Sequence, residues 1–264
     1  MEHMPFTPKK LDQLAVLISG GTSGVGLAAA ICFAEQGAPN IAIMGRNAER
    51  GQAALDKVRA VGSKARVEFI QADANDPDQC EAAVAQAHKM FGSVDVMVNS
   101  THSTLPPRLA HQLSVAELAP RMLGTAQAPM QMSRAVLPIM MEQQGGVIIN
   151  VASDAAKTPT PGGTTGGAAM AAIVMFSRVL AMEAKRHGIR VNALTPALIS
   201  DTPMFDLALE DEFGARVFAE AKRKSALGFS TPRDLGALIV FLSGPDAGRL
   251  TGQAISVNGG MSAQ

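Results

Sequence analysis

The chain has 264 residues, 47% of them hydrophobic, enough to build the core of one large domain. Lys plus Arg equals Asp plus Glu at 23 each, and this zero net charge argues against a nucleic-acid or polyanion binder. Two cysteines without a CxxC pair argue against a disulfide framework and a zinc site. The chain contains no Tyr and no Trp, which excludes chemistry based on a tyrosine acid, base or nucleophile.

Short apolar runs alternate with longer helical patterns along the chain. The apolar runs predict seven β-strands, at 14–19, 41–45, 67–72, 94–99, 147–152, 189–194 and 254–257. Helical patterns cover 24–36, 49–61, 77–90, 115–143 and 168–187. Pro120 and Pro129 are expected to bend or break the fourth helix. Strands separated by helices predict an α/β fold of Rossmann type, a doubly wound sheet of about seven parallel strands with helices on both faces, in a single domain over 1–264.

Residues 200–232, between the last two predicted strands, are the least regular part of the chain and predict a lid over a pocket. The first ten residues lack the apolar segment of a secretory signal. The longest apolar run, 168–176, has nine residues, whereas a membrane-spanning helix needs roughly 20. We therefore expect a cytoplasmic protein that contacts neither membrane nor nucleic acid.

The sequence SGGTSGVG at 19–26 directly follows the first strand and opens the first helix. Glycines at such a turn let a pyrophosphate approach the N-terminus of the helix, which predicts a dinucleotide-binding loop. A tight turn that holds no ligand is the alternative. The predicted cofactor contacts in this loop are Gly20, Thr22, Ser23, Gly24, Val25 and Gly26.

The end of the second predicted strand reads Gly45-Arg46-Asn47, with an Arg and no carboxylate. A carboxylate there would bind the ribose 2′-hydroxyl of NAD, so its absence together with Arg46 favours NADP over NAD. Asp73, just past the third strand, is a candidate contact to the adenine amino group. A solvated Arg46 and a loop-capping Asp73 remain the alternatives.

Together with the glycine loop, several further motifs occur in the same order as in the short-chain dehydrogenase/reductase family. The chain resembles this family over residues 14–260. VNSTH at 98–102 stands where the family has VNNAG, and NVAS at 150–153 resembles the strand that ends in the catalytic Ser. GIRVN at 188–192, PALI at 196–199 with Thr202, and LTGQ to VNGG at 250–260 complete the resemblance. It implies a nicotinamide dinucleotide, with Asn99, Ile199 and Thr202 among the residues that hold it.

The same resemblance implies hydride transfer between a nicotinamide and an alcohol or carbonyl carbon, assisted by a Tyr, a Lys four residues later, a Ser and an Asn. Counting thirteen residues from Ser153 places the Tyr position at Gly166 and the Lys position at Met170. The Asn position is Arg121, so Ser153 alone remains of the four groups. His102 stands at the last position of the VNNAG motif, where the family has Gly.

These departures favour a catalytically degenerate subunit that supports an active paralogue in a heteromeric NAD(P)-dependent alcohol or hydroxyacyl-CoA dehydrogenase. The resemblance supplies a precedent, the benzylsuccinyl-CoA β-oxidation enzyme, which pairs an active subunit with a defective one. An autonomous enzyme that uses Ser153 with Arg121 or His102 is an alternative, as is a nucleotide-binding sensor. No metal site is expected.

Small residues at 166–172 and methionines at 130–141 fit the helix-pair interface that the resemblance implies. The expected assembly is an α₂β₂ tetramer with the homologous active subunit, or a homotetramer. Lys222-Arg223-Lys224, in the lid-like segment, either bind the phosphates of an acyl-CoA substrate or form a solvated helix face.

Overall fold

The computed structural model describes residues 7–101, 105–202, 205 and 212–263. Seven parallel strands form one sheet in the order β3-β2-β1-β4-β5-β6-β7. The strands are β1 Ala15–Ser19, β2 Asn40–Gly45, β3 Arg66–Gln71, β4 Val96–Asn99, β5 Gly146–Val151, β6 Ile189–Pro196 and β7 Ala254–Val257. The predicted Rossmann-type sheet is confirmed.

The helices of the described residues are α1 Gly24–Glu35, α2 Ala48–Arg59, α3 Pro77–Phe91, α4 Val115–Glu142, α5 Thr164–Ala184, α6 Glu212–Lys224 and α7 Pro232–Ser243. The first five correspond to the predicted patterns, with α5 beginning four residues earlier than expected. No helix was predicted at α7. Its start is fixed by a capping box in which Thr231 and Asp234 exchange hydrogen bonds, followed by Pro232 at the first helical position.

Two helical layers cover the sheet, and the strands alternate their side chains between them. Val96 and Val98 pack in the layer that contains α1, α2 and α7, whereas Met97 packs in the layer of α3, α4 and α5. Strands buried on both faces require near-continuous apolar runs, and this explains why the sequence revealed them. Gly236 in α7 lies so close to Ala28 of α1 that an added Cβ would come within 3.0 Å of its carbonyl oxygen.

Helix α4 continues unbroken through Pro120, Pro129 and Pro138, so the prolines do not end it. A proline has no N–H to donate to the carbonyl four residues earlier, so three carbonyls of α4 lose their helical donor. Two hydroxyls add bonds to other carbonyls of the helix. The Ser133 hydroxyl donates to the Pro129 carbonyl at 2.6 Å, and the Thr125 hydroxyl donates to the Arg121 carbonyl at 3.1 Å. Packing of the second half of α4 on the sheet holds the helix together despite the missing bonds.

Helices α4 and α5 pack against each other and leave apolar side chains uncovered. Val115 is 88% exposed and Met182 is 60% exposed. We name this surface the α4–α5 face, and its exposed apolar residues are Val115, Leu118, Met122, Leu123, Met141, Met175, Val179 and Met182.

One segment of the described chain, Thr164–His187, is long and apolar enough to cross a membrane by length and composition. The sequence predicted no membrane-spanning segment, because its longest uninterrupted apolar run, 168–176, has nine residues. Its inner side is core: buried residues are Ala169, Met170, Ile173, Val174, Ser177, Leu180, Ala181 and Ala184. The packing of α5 on the sheet accounts for its apolar composition.

Candidate nucleotide site

A pocket of about 420 Å³ lies at the carboxyl ends of the strands. Its walls come from the residues that follow β1 to β6, and it is centred where the strand order reverses between β1 and β4. In open parallel sheets this reversal opens a crevice, because the crossovers on the two sides leave in opposite directions. The fold therefore produces a ligand site here before any side chain is considered.

The glycine loop forms the floor of the pocket in a conformation that needs glycine. Gly20 has φ +77°, and an added Cβ would stand 2.6 Å from the Ser100 carbonyl oxygen. Gly24 has φ +51° and begins α1, so the N-terminus of that helix opens toward the pocket. Gly26 does not line the pocket; it lies against the backbone of Gly20, where a side chain would collide. The N–H groups of Gly20 and Gly21 donate to the Met44 carbonyl, so it is the first turn of α1 that presents N–H groups to an anion.

The structure brings most of the predicted site residues together. Those that line the pocket are Gly20, Thr22, Ser23, Gly24, Val25, Arg46, Asp73, Ser153, Ile199 and Thr202. The Thr202 hydroxyl donates to the Ile199 carbonyl at 2.9 Å and accepts from the Phe205 N–H at 3.2 Å. These bonds fix the entrance to the segment after β6.

One end of the pocket carries two arginines. Arg46 lies 3.8 Å from Asp73, and Arg50, one turn into α2, also lines the pocket. Between them Asn47 caps α2 by accepting the Arg50 N–H at 2.8 Å. The sequence motifs do not predict Arg50 as a site residue. Its four-residue spacing from Arg46 across a helix start was the signal that could have found it.

Asn99 does not line the pocket. Its side-chain amide donates to the Asn150 side chain at 2.7 Å, to Ser133 at 3.1 Å and to the Pro129 carbonyl at 3.3 Å. Asn150 in turn donates to Ser177 at 2.8 Å. This buried polar network ties β4 and β5 to α4 and α5, so Asn99 acts here on the packing beneath the pocket.

Ser153 lies at the opposite end of the pocket, where its hydroxyl accepts the Ala155 N–H at 3.2 Å. Neither Gly166 nor Met170, at the Tyr and Lys positions, belongs to the pocket wall. An added Cβ at Gly166 would meet no described heavy atom within 4 Å, so that position is open space. Met170 is 5% exposed and packs into a core cluster with Ala126, Ala152, Ala169, Ile173, Val174 and Ala193.

Arg121, at the position of the family Asn, turns away from the pocket. Its guanidinium donates to the Pro106 carbonyl at 2.5 Å, and its Nε is buried without a partner among the described residues. His102, the other candidate for altered chemistry, lies outside the described residues. Arg121 therefore anchors the loop before α4, and does not face Ser153 across the pocket.

Lys157, four residues after Ser153, does not replace the missing Lys. Its ammonium donates to the Ser256 hydroxyl at 2.5 Å and to the Ala254 carbonyl at 3.4 Å, and it does not line the pocket. Burial lowers its pKa, the Asp154 carboxylate opposes this, and the Arg178 charge adds to the lowering. Asp154 is itself buried and accepts hydrogen bonds from Asn258 and Ser262 near the C-terminus. The side chains of Lys157 and Asp154 therefore stabilise β7 and the residues that follow it.

The lid-like segment contributes an aromatic wall. Phe205 lines the pocket and lies with its ring centroid 4.9 Å from that of Phe218 and 5.7 Å from that of Phe229. On α6, Arg223 and Lys224 form ion pairs with Glu220, while Lys222 is exposed. The basic run is thus partly neutralised by its own helix.

Two observations fit a dinucleotide to this pocket. Gly24 begins α1 at the pocket wall and presents no side chain there, and the hydroxyls of Ser19 and Thr101 line the pocket, buried without a partner among the described residues. Unpaired buried hydroxyls are costly unless a ligand or water completes them. The described residues form no cluster of three metal-ligating side chains.

Comparison with known proteins identifies the family. Residues 14–212 match the family model for short chain dehydrogenases, and the chain therefore belongs to the short-chain dehydrogenase/reductase family. It is 33% identical to a 3-oxoacyl-[acyl-carrier-protein] reductase of Chlamydia muridarum, over 94% of this chain and 96% of the relative. It is 32% identical to an uncharacterised oxidoreductase of Mycobacterium tuberculosis, over 96% and 93% of the two chains. Oxidoreductases are thus its relatives over nearly the full length.

Solved structures share the whole architecture. A short-chain dehydrogenase/reductase from Serratia marcescens superposes with a TM-score of 0.84 at 27% identity, covering 97% of this chain and 100% of the other. A 7α-hydroxysteroid dehydrogenase in complex with NADH superposes with a TM-score of 0.85 at 24% identity, covering 95% of each chain. The second likeness concerns the fold alone.

Proposed function

We propose that this chain is a catalytically degenerate short-chain dehydrogenase/reductase subunit that supports an active homologous subunit in a heteromeric NAD(P)-dependent alcohol or hydroxyacyl-CoA dehydrogenase. The observation that carries the proposal is that α5 lacks the two catalytic side chains of the family. Gly166 offers no acid, and Met170 places an uncharged thioether in the core where the family has an ammonium. A nucleotide-type pocket is kept while the groups that would move a proton are absent.

The chemistry explains why this loss is severe. A bound nicotinamide dinucleotide supplies the hydride donor or acceptor, and a protein group must supply or take the proton on the substrate oxygen. Free tyrosine has a pKa of about 10 and needs a nearby cation to exchange protons near neutrality. Ser153 can donate a hydrogen bond to a substrate oxygen, and an unassisted Ser hydroxyl does not exchange a proton at this pH. Binding without proton transfer is what these residues can do.

The arginines of the pocket support NADP as the preferred nucleotide. Arg46 follows β2 and Arg50 lies in the first turn of α2, at the end of the pocket where the adenosine ribose is held in folds of this type. A guanidinium pairs with a phosphate through two parallel hydrogen bonds, and a carboxylate that would repel the phosphate is absent from 45–47. Asp73 lies 3.8 Å from Arg46 and orients it.

Arg46→Ala is expected to weaken NADP binding about 10-fold or more and to leave NAD binding within about 2-fold, because the lost contact is to the 2′-phosphate alone. Titration calorimetry with both nucleotides measures this. Arg249→Ala removes an exposed arginine outside the pocket and is the matched control. Tight NAD binding that Arg46→Ala leaves unchanged would contradict the NADP preference.

We further propose that the α4–α5 face is the contact to the homologous subunit, in an α₂β₂ tetramer. Both helices leave apolar side chains in water, and Ala168, Ala171 and Ala172 keep the exposed side of α5 low enough for another helix to approach. A two-fold interface is self-complementary, so a homologue that keeps such a face can replace one copy. A homotetramer is the alternative assembly.

Ala172→Arg is expected to dissociate the assembly formed on co-expression with the nearest intact homologue, because a long charged side chain would separate the two helix pairs. Native mass spectrometry of the purified complex measures the subunit composition. Ala53→Arg, on the exposed side of α2, is the matched control and should leave the assembly intact. An unchanged oligomer with Ala172→Arg would place the interface elsewhere on the molecule.

A nucleotide sensor is the second candidate, since nine of the eleven predicted cofactor contacts line the pocket while catalysis is not supported. An autonomous enzyme built on Ser153 and Arg121 is not favoured, because Arg121 is bonded to Pro106 outside the pocket. We propose a cytoplasmic location, in keeping with the free thiols of Cys32 and Cys80.

A further inference from the structure

The charged side chains that line the nucleotide pocket all lie at one end of it. Arg46 and Arg50 follow β2, Asp73 follows β3, and the other described residues of the wall are uncharged. The side-chain amide of Gln71 donates to the Arg46 carbonyl at 3.0 Å and holds the backbone there. Two guanidinium groups against one carboxylate leave a net positive charge, which suits a phosphate group. We name this part of the pocket the arginine end.

The first turn of α1, in the middle of the pocket, provides donors for a diphosphate. Ser23 is the N-cap of α1, and its side chain makes no capping bond to the N–H groups of the first turn. The Leu27 N–H donates to the Ser23 carbonyl at 3.2 Å, so the N–H groups that precede it in the helix are left for an anion. Both the diphosphate and a ribose phosphate of a nucleotide therefore find donors in this half of the pocket.

The other end of the pocket offers few polar groups. It is formed by residues 151–153, 196–199, 202 and 205, and none of these side chains is charged. The Thr202 hydroxyl already donates to the Ile199 carbonyl at 2.9 Å and accepts the Phe205 N–H at 3.2 Å. The Ser153 hydroxyl accepts a backbone N–H, and its O–H is the side-chain donor that remains at this end among the described residues.

Polar or charged groups near this end are engaged elsewhere or have been lost. The Asn99 amide donates to Asn150 beneath the pocket, and Met170 is an apolar side chain in the core. A nicotinamide riboside carries hydroxyls and a carboxamide that are hydrogen-bonded in water, and a positive charge when oxidised. Placing these groups against an uncharged wall exchanges many water hydrogen bonds for few protein ones, so little binding energy results.

We infer that the pocket binds a ribose-phosphorylated adenosine diphosphate and that the nicotinamide half of the nucleotide adds almost nothing to its affinity. The inference rests on the proposed NADP preference and names the part of the nucleotide that is recognised. NADP⁺, NADPH and 2′-phospho-ADP-ribose, which lacks the nicotinamide, then bind alike. The subunit responds to the total amount of the nucleotide and does not distinguish its oxidised from its reduced form.

Titration calorimetry of the full chain with these three ligands tests the inference. Their dissociation constants should agree within about 3-fold, because the binding energy comes from the half that they share. The inference is overturned if 2′-phospho-ADP-ribose binds more than about 10-fold more weakly than NADP⁺, or if NADP⁺ and NADPH differ by that factor. Coenzyme A carries the same group with its ribose phosphate at the 3′ position. Tighter binding of coenzyme A would keep the inference and remove the NADP preference, whereas weaker binding assigns the shared group to NADP.

Arg50→Ala gives a second readout. It should weaken all three ligands by the same factor, about 10-fold or more, since the lost contact belongs to the shared half. Arg186→Ala removes an equally exposed arginine outside the pocket and is the matched control. An unequal loss across the three ligands contradicts the inference.

The inference and the proposed function can fail separately. If none of the three ligands binds, the inference is wrong and the degenerate-subunit proposal stands. Turnover by the isolated chain would contradict that proposal and leave the comparison of ligands unaffected, because the binding measurements contain no substrate.

Discussion

The isolated chain should turn over no alcohol, ketone or hydroxyacyl-CoA thioester at an ordinary rate with NAD(H) or NADP(H). An ordinary enzyme typically turns over about 10 s⁻¹, and loss of general acid–base catalysis typically costs about 10²–10⁴-fold. We therefore expect a rate of about 10⁻¹ s⁻¹ or less, because Gly166, Met170 and Arg121 supply neither the acid nor its activation. Steady-state absorbance of the reduced nicotinamide measures the rate.

The control for this assay is Ser153→Ala. Ser153 is the one family catalytic group that lines the pocket, so any activity that belongs to this chain should fall further in the variant. Residual activity that is insensitive to Ser153→Ala belongs to a copurified host enzyme. A rate near the ordinary range that Ser153→Ala removes would refute the degenerate-subunit proposal.

Restoring the two α5 groups should not restore activity. Gly166→Tyr finds open space, but Met170→Lys puts an ammonium where a buried thioether packs against Ile173 and Ala126. Burying an unpaired ammonium is unfavourable, so the side chain must leave the core or the protein must lose stability. Arg121 would still occupy the Asn position. Since catalytic groups act as a unit, we expect the double variant to stay at least about 10²-fold below an ordinary rate.

Two measurements separate the reasons for such an outcome. Thermal unfolding tells whether Met170→Lys destabilises the chain, and the single variant Met170→Leu, which keeps the packing volume, is its control. Adding Arg121→Asn to the double variant tests the remaining position. Activity of the double variant comparable to that of an intact family member would mean that the rest of the cleft is competent.

The sheet could be predicted from the sequence mainly because its inner strands, such as β1 and β6, are buried on both faces and are nearly continuous apolar runs. The glycine loop was equally readable, since Gly20 and Gly24 occupy positive φ and the close approach to Ser100 admits no side chain. The position of Asn99 relative to the pocket could not be predicted from its motif. Its motif placed it beside the cofactor, whereas the alternation along β4 puts it in the same layer as Met97, beneath the pocket.

The sequence motifs could not predict the direction in which individual side chains point. The position of Arg121 in the sequence suggested a charge in the cleft, but its guanidinium bonds to Pro106, a contact with a loop fifteen residues away. Arg50 lines the pocket because α2 begins soon after β2, and its four-residue spacing from Arg46 was the one sequence signal of that geometry. Helix α7 was not predicted because it follows the irregular lid-like segment. Thr231, Pro232 and Asp234 nevertheless form a complete sequence signature of a helix N-terminus.

The first turns of α4 have a consequence for how the protein is made. Val115 and Leu118 lie on a part of the helix that its own chain leaves uncovered, and Val115 is 88% exposed. A newly synthesised chain that has not yet bound its partner exposes this apolar surface to chaperones and proteases, which recognise such surfaces. Under the proposed assembly, surplus copies are cleared and the amount that survives follows the amount of the partner. Dosage of the two subunits is then matched by degradation of the unpaired one.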